Sequence, residues 1–213
     1  MKIGIIGAGN IGGNLGKHFA KAGHQVMFSS RHPEQLKHLV KAAGQNASAA
    51  NIEEAAECGE LILLAIPFGK VPATREKIGT LAGKILIDAN NYYPQRDGAA
   101  FGKEMTEKRL LESEWTASYF TKASVLKAFN SISYVTLTER AFPETDKERL
   151  AIPFAGSDGR SIEVFKTLLN DIGFDGVHIG DLAATKAMQP NEKLYGTELP
   201  QAKLKDVVKK LYR

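Results

Sequence analysis

At 213 residues the chain is about one and a half times a typical ~150-residue domain, enough for one full domain and a small extension but not for two large lobes. Apolar residues at 43% and charged residues at 24% describe an ordinary globular chain that can bury a core, and they exclude intrinsic disorder. A net charge of +4 without a dense basic face argues against a nucleic-acid partner. No apolar run approaches the ~20 residues of a membrane helix, so a soluble, cytoplasmic protein is expected.

Residues 2–6 (KIGII) make a short apolar run that ends in glycines, as a buried parallel strand does. Gly4, Gly7 and Gly9 also break it too early for a secretory leader, and no small-residue cleavage site follows. Ile11, Leu15, Phe19 and Ala22 then recur every three or four positions, the pattern of a helix lying on a sheet. Gly23 stops that helix, and 25–29 (QVMFS) is a second strand.

The alternation continues with a helix over 33–43, a weak strand near Ala47 and a short helix over 52–57. Strands LILLAI at 61–66, KILID at 84–88 and VLKAF at 125–129 are separated by helices near 70–81 and 102–120. Cys58, the single cysteine, can make neither an internal disulfide nor a thiolate metal site alone, which suits a reducing compartment. Beyond Thr138 the stretch RAFPETDKER is a connecting loop. A last unit follows: LAIPFA at 150–155, a helix carrying Ile162, Phe165, Leu168, Leu169 and Ile172, a strand near 175–179, and a C-terminal helix. In that final helix Leu204, Val207, Val208 and Leu211 face inward, so Lys203, Lys205, Lys209, Lys210 and Arg213 form its wet side. Strands separated by helices of these lengths imply right-handed crossovers and a mainly parallel sheet, hence an α/β fold.

Between the first strand and helix sits Gly7-Ala8-Gly9-Asn10-Ile11-Gly12, a G-x-G-x-x-G where a dinucleotide fingerprint requires it. Gly7 allows the tight turn, Gly9 admits a pyrophosphate, and Gly12 lets helix pack on strand. NAD sites place an acid at the end of the second strand, where it holds the ribose hydroxyls. This chain has Ser29, Ser30 and Arg31 there, hydroxyls and a guanidinium suited to a 2′-phosphate, so the expected cofactor is NADP. Residues 1–138 are therefore expected to form an NADP-binding, Rossmann-type doubly wound domain, and 139–213 a small C-terminal extension of the same sheet with closing helices. Three further segments reach the carboxyl edge of the sheet: Ala65-Ile66-Pro67-Phe68, Asp88 through Tyr93, and Ala128-Phe129-Asn130-Ser131. Pro67 makes a rigid wall without an N–H to satisfy, and Asn90 and Asn130 are placed to hold a carboxamide or a substrate.

These stretches together resemble a known family. IGIIGAGNIGGNLG, SSRHPE, LAIPF, ILIDANNYYPQRDG, VLKAFNS and FAGSDG are similar to the NADP oxidoreductases that depend on a deazaflavin coenzyme (F420), their bacterial dinucleotide-binding relatives, and the reductase domain of the STEAP metalloreductases. The resemblance implies NADP contacts at Ala8, Gly9, Asn10 and Ile11, at Ser30 and Arg31, at Ile66 and Pro67, and at Ala128. Two segments depart from the deazaflavin enzymes: Phe129-Asn130-Ser131 stands where those carry a histidine before a threonine, and MQPNEKLYG differs from theirs. Both would lie near the second substrate.

The five histidines are scattered, none pairs with an acid at a useful spacing, and no catalytic or metal-binding motif stands out. That suits hydride transfer between flat rings, which needs alignment and exclusion of water more than acid–base groups. The expected function is NADP(H)-dependent hydride transfer to or from a small planar redox acceptor, a flavin or deazaflavin as second substrate, with Gly69 and the Tyr92–Arg96 loop bordering its pocket. A reductase of small imines or hydroxy acids, related to pyrroline-carboxylate reductase, and a non-catalytic NADPH sensor are the alternatives. A homodimer is compatible with either enzyme.

Overall fold

The computed structural model describes residues 1–143, 145 and 149–212. Six strands, β1 (Lys2–Ile6), β2 (Gln25–Ser29), β3 (Ala47–Ala50), β4 (Leu61–Leu64), β5 (Ile85–Asp88) and β6 (Ser124–Lys127), form one sheet in the order β3-β2-β1-β4-β5-β6. Every pairing is parallel. The chain winds outward from the centre first one way and then the other, the Rossmann-type doubly wound arrangement expected from the alternation, and its order reverses between β1 and β4.

Helices α1 (Asn10–Lys21), α2 (Lys37–Ala43), α3 (Ile52–Cys58), α4 (Val71–Ile78), α5 (Pro94–Asp97), α6 (Ala99–Lys108), α7 (Glu112–Tyr119) and α8 (Tyr134–Glu139) connect or flank these strands. Both faces of the sheet are covered, which explains the unbroken apolar runs. Ile3, Ile5, Leu61 and Leu63 pack on one side with Leu15 and Phe19 of α1. Ile6, Ile62 and Leu64 pack on the other with Phe68, Val71 and Trp115.

Several boundaries differ from the sequence pattern. The helix expected over 102–120 is two helices, because Arg109 takes a left-handed conformation (φ 54°). α7 restarts where the Leu111 N–H donates to Glu114 at 2.8 Å. The strand expected to run to Phe129 ends at Lys127, since Phe129 itself has φ 64° and cannot continue a strand. α8, absent from the sequence pattern, begins where Ser133 accepts from the Thr136 N–H at 3.0 Å. Within the expected loop at 139–148, residues 144 and 146–148 lie outside the described residues, as does Arg213.

The C-terminal unit joins the sheet in a way the sequence does not anticipate. β7 (Ala151–Phe154) and β8 (Asp175–His178), linked by α9 (Gly159–Asp171), make their own two-stranded parallel sheet. It meets the large sheet through one antiparallel bridge, Lys127 with Ala155, whose two hydrogen bonds measure 2.9 and 3.0 Å. Pro153 explains the brevity of this contact. The N–H groups of Ala151 and Ala155 point away from β8, so by alternation Pro153 faces the same edge and has no N–H to extend a ladder there. Packing supplies the rest: Phe165 of α9 lies 5.4 Å from Phe129 and 5.0 Å from Phe154, ring centre to ring centre. The last helix, α10 (Gln201–Leu211), buries Leu204 with Val207, Val208 and Leu211 against this unit and leaves its lysines in solvent.

Candidate functional site

The carboxyl ends of β1, β4, β5 and β6 surround a cavity of about 380 Å³ at the point where the strand order reverses. Its first wall is the glycine loop. Gly7 has φ 103°, and a Cβ there would collide with the carbonyl oxygen of Ala65. A Cβ at Gly12 would strike the carbonyl of Gly7, so that glycine seats α1 on the turn. Gly9 is the opposite case: nothing lies within 4 Å of a Cβ built on it. Its open side adjoins the start of α1, which has no side-chain cap and no acid in its first turn. Free N–H groups and the positive end of the helix dipole thus face a space that a phosphate could fill.

The expected residues divide by position. Gly9, Asn10, Ile11, Ala65, Ile66, Pro67, Asn90 and Asn130 line the cavity. Gly7, Ala8 and Gly12 shape the turn beneath it. Ser29 is buried, and its hydroxyl accepts from the Gly7 N–H at 3.4 Å, so it braces the loop instead of reaching outward. Ser30 and Arg31 lie at the tip of β2; the Ser30 hydroxyl accepts from the His32 N–H at 3.0 Å, and Arg31 is exposed. Ala128 is fully buried and does not reach the cavity. Of the loop expected to border the pocket, Tyr93 and Arg96 line it, whereas the Tyr92 hydroxyl donates to the Gly98 carbonyl and the Gly69 N–H to Asp97.

The two asparagines are each half satisfied. Asn90 Oδ1 accepts from the Ile66 N–H at 2.9 Å, while its buried Nδ2 has no partner. Asn130 Nδ2 donates to the Met188 carbonyl at 2.9 Å and to Asn91 Oδ1 at 3.0 Å, while its buried Oδ1 has none. Main-chain partners of unambiguous polarity fix which end of each amide is which. Both residues line the cavity, and between them they hold one buried donor and one buried acceptor without a partner.

Contacts within the expected Tyr92–Arg96 loop, together with residues outside the expected set, complete the site. The hydroxyls of Tyr93 and Tyr195 are 2.9 Å apart across the mouth, joining the β5 end to the C-terminal unit. Arg96 sits 4.9 Å from the centre of the Tyr93 ring and pairs with Asp97 at 2.8 Å. Burial, reinforced by the hydrogen bond with Tyr195, pushes the Tyr93 phenol up to about 12. Tyr134 of α8 is exposed beside them. Under the floor, Lys127 and Asp88 form a buried ion pair, and burial raises the neighbouring Glu112 carboxyl despite the nearby Lys127 charge. The clue for Tyr195 in the sequence is the MQPNEKLYG segment that contains it; nothing local points to Lys127. Among the described residues no group of histidine, cysteine, aspartate and glutamate could hold a metal ion, and no helix is long and apolar enough to cross a membrane.

Residues 2–92 match the family described as NADP oxidoreductase, coenzyme F420-dependent. The resemblance read from the motifs holds for this N-terminal unit. The chain is also 28% identical over 191 residues to metalloreductase STEAP3 of Rattus norvegicus, covering 88% of this chain and 36% of the relative. It thus spans little more than a third of that protein. Among solved structures, the hypothetical protein SMa0349 of Sinorhizobium meliloti superposes with a TM-score of 0.81 at 24% identity, covering 94% of this chain and 96% of the other. A protein provisionally assigned as an F420-dependent NADP reductase, from Arthrobacter sp. FB24, gives 0.69 at 21% identity over 87% of each chain. An imine reductase of Aspergillus terreus gives 0.64 at 18% identity, covering 99% of this chain and 61% of its own. At these identities the structural likenesses establish a shared fold.

The two glycines separate packing from binding. Gly12→Ala is expected to cost about 1–3 kcal/mol in urea unfolding through overpacking. Gly9→Val should leave the unfolding midpoint within error yet weaken NADPH about 100-fold or more, as read by calorimetry. Retained affinity in Gly9→Val would place the phosphate elsewhere.

Proposed function

We propose that this chain is an NADP(H)-dependent oxidoreductase that moves a hydride between the nicotinamide and a small planar acceptor of the flavin or deazaflavin type. The observation that carries the reading is a cavity that opens at the glycine loop and is lined by Asn90 and Asn130, whose buried Nδ2 and Oδ1 respectively have no partner. A primary carboxamide offers one carbonyl oxygen and one amide N–H₂, which complements that donor and acceptor pair. At the other end, the uncapped start of α1 receives the pyrophosphate. Ser30 and Arg31 are left to grip a 2′-phosphate, a role in which a guanidinium supplies two parallel donors.

Bound NADPH would supply the hydride, so the protein's task is to align two rings about 3–3.5 Å apart and keep water out. Ile66 and Pro67 offer a firm wall for one ring. The Tyr93, Tyr134 and Tyr195 side chains at the mouth offer flat, amphipathic surfaces on which a second aromatic system can stack. A reducing cytoplasm, where NADPH is available and free Cys58 is stable, fits this chemistry.

One observation favours a second reading, reduction of a C=N or C=O bond. Such a reaction needs a proton donor at the developing nitrogen or oxygen anion. Tyr93, a phenol hydrogen-bonded to Tyr195 in the cavity lining, is a group placed to provide it. Hydride transfer to a flavin has no such requirement.

Two measurements follow. Arg31→Ala should weaken NADPH about tenfold or more and leave NADH nearly unchanged; equal losses for both nucleotides would contradict the 2′-phosphate role. Tyr93→Phe should leave flavin or deazaflavin reduction within about twofold, whereas on the second reading turnover of imines or ketones should fall about 100-fold.

A further inference from the structure

Asn90 is held from three directions. Its main-chain N–H donates to Asp88 Oδ1 at 3.0 Å, its carbonyl accepts from the Lys127 ammonium, and its side-chain Oδ1 accepts from Ile66. The first two contacts come from a single ion pair, Lys127 Nζ to Asp88 Oδ2 at 3.0 Å, with side chains only 1% and 0% exposed. Asp88 and Lys127 are register partners at the ends of β5 and β6, and the Lys127 main chain is itself pinned to Ala155 by two hydrogen bonds.

An ion pair this deeply buried gains little stability over apolar side chains of the same volume, because desolvation offsets the attraction. Its geometry indicates a different use: cation and anion together hold the N–H and the carbonyl on either side of one Cα, fixing the backbone from which the Asn90 side chain projects. We propose that Lys127 is a positioning residue for the nicotinamide end of the cofactor. It touches neither cofactor nor acceptor. Together with Asp88 it fixes the Asn90 backbone so that Nδ2 is aimed at the carboxamide. The proposal rests on the NADP(H) reading of the cavity, and it assigns the ion pair to one half of the nucleotide only.

Adenosine 2′,5′-bisphosphate tests this, since it carries the 2′-phosphate and a 5′-phosphate but lacks the nicotinamide. Both it and NADP⁺ are titrated calorimetrically into the wild-type chain, Lys127→Met, Asn90→Ala and the Lys127→Met/Asn90→Ala combination. Affinity for NADP⁺ should fall about tenfold in each single variant while the bisphosphate binds as before. The combined variant should be no weaker than Asn90→Ala, because Lys127 acts through that residue. Should Lys127→Met fail to fold with Asp88 unpaired, Asp88→Asn/Lys127→Met removes both charges, retains an acceptor for the Asn90 N–H, and should give the same selective loss. Equal losses for the two ligands, or losses that add in the combined variant, would overturn the proposal and leave the pair as scaffold. Wild-type protein that binds neither ligand would overturn the NADP(H) reading itself and this proposal with it.

Discussion

Where the strand order reverses, the turn after β1 and the chain leaving β4 approach so closely that the Gly7 position has no room for a Cβ beside the Ala65 carbonyl. That contact decides most of what lies above the sheet. It sends α1 away on one side and α4 on the other, and the cavity opens between the start of α1 and the chain leaving β4. The same turn leaves the first N–H groups of α1 without partners, since Gly9 contributes no side chain to cap them.

Charge is handled differently at the two ends of that crevice. Near the glycine loop it is positive and open, a field suited to phosphates. Beneath the β5 and β6 ends it is buried and mutually neutralised: Asp88 and Lys127 satisfy each other and the Asn90 peptide, while the neighbouring Glu112 accepts from the Tyr92 N–H at 3.1 Å and is pushed toward its neutral form by burial. A low-charge floor under a half-satisfied amide pair suits an uncharged carboxamide better than another phosphate. The mouth, with three tyrosines and Arg96 over the Tyr93 ring, presents flat surfaces with polar rims.

Local features were legible in the sequence. The glycine spacing, the apolar strand runs and the missing acid after β2 each act within a few residues, so periodicity and turn chemistry suffice to read them. Other features depend on pairings between distant positions. The Tyr93–Tyr195 contact joins residues 102 apart, and the Lys127–Asp88 pair spans 39. The short join of the C-terminal unit depends on which edge Pro153 presents, a matter of strand register that composition does not carry. The break between α6 and α7 was hidden for another reason: Arg109 adopts a left-handed conformation normally signalled by glycine or asparagine. Ser29 was placed correctly at the end of β2, yet its hydroxyl faces the Gly7 N–H, a direction that only the three-dimensional turn determines.

A crystal structure of the complex with NADP⁺ tests the central claim most directly. The account predicts pyrophosphate oxygens within about 3.2 Å of main-chain N–H groups at the start of α1, with the carboxamide bridging Asn90 Nδ2 and Asn130 Oδ1 at similar distances. A nucleotide bound with its nicotinamide outside this cavity, or with its phosphates away from Gly9, would contradict it.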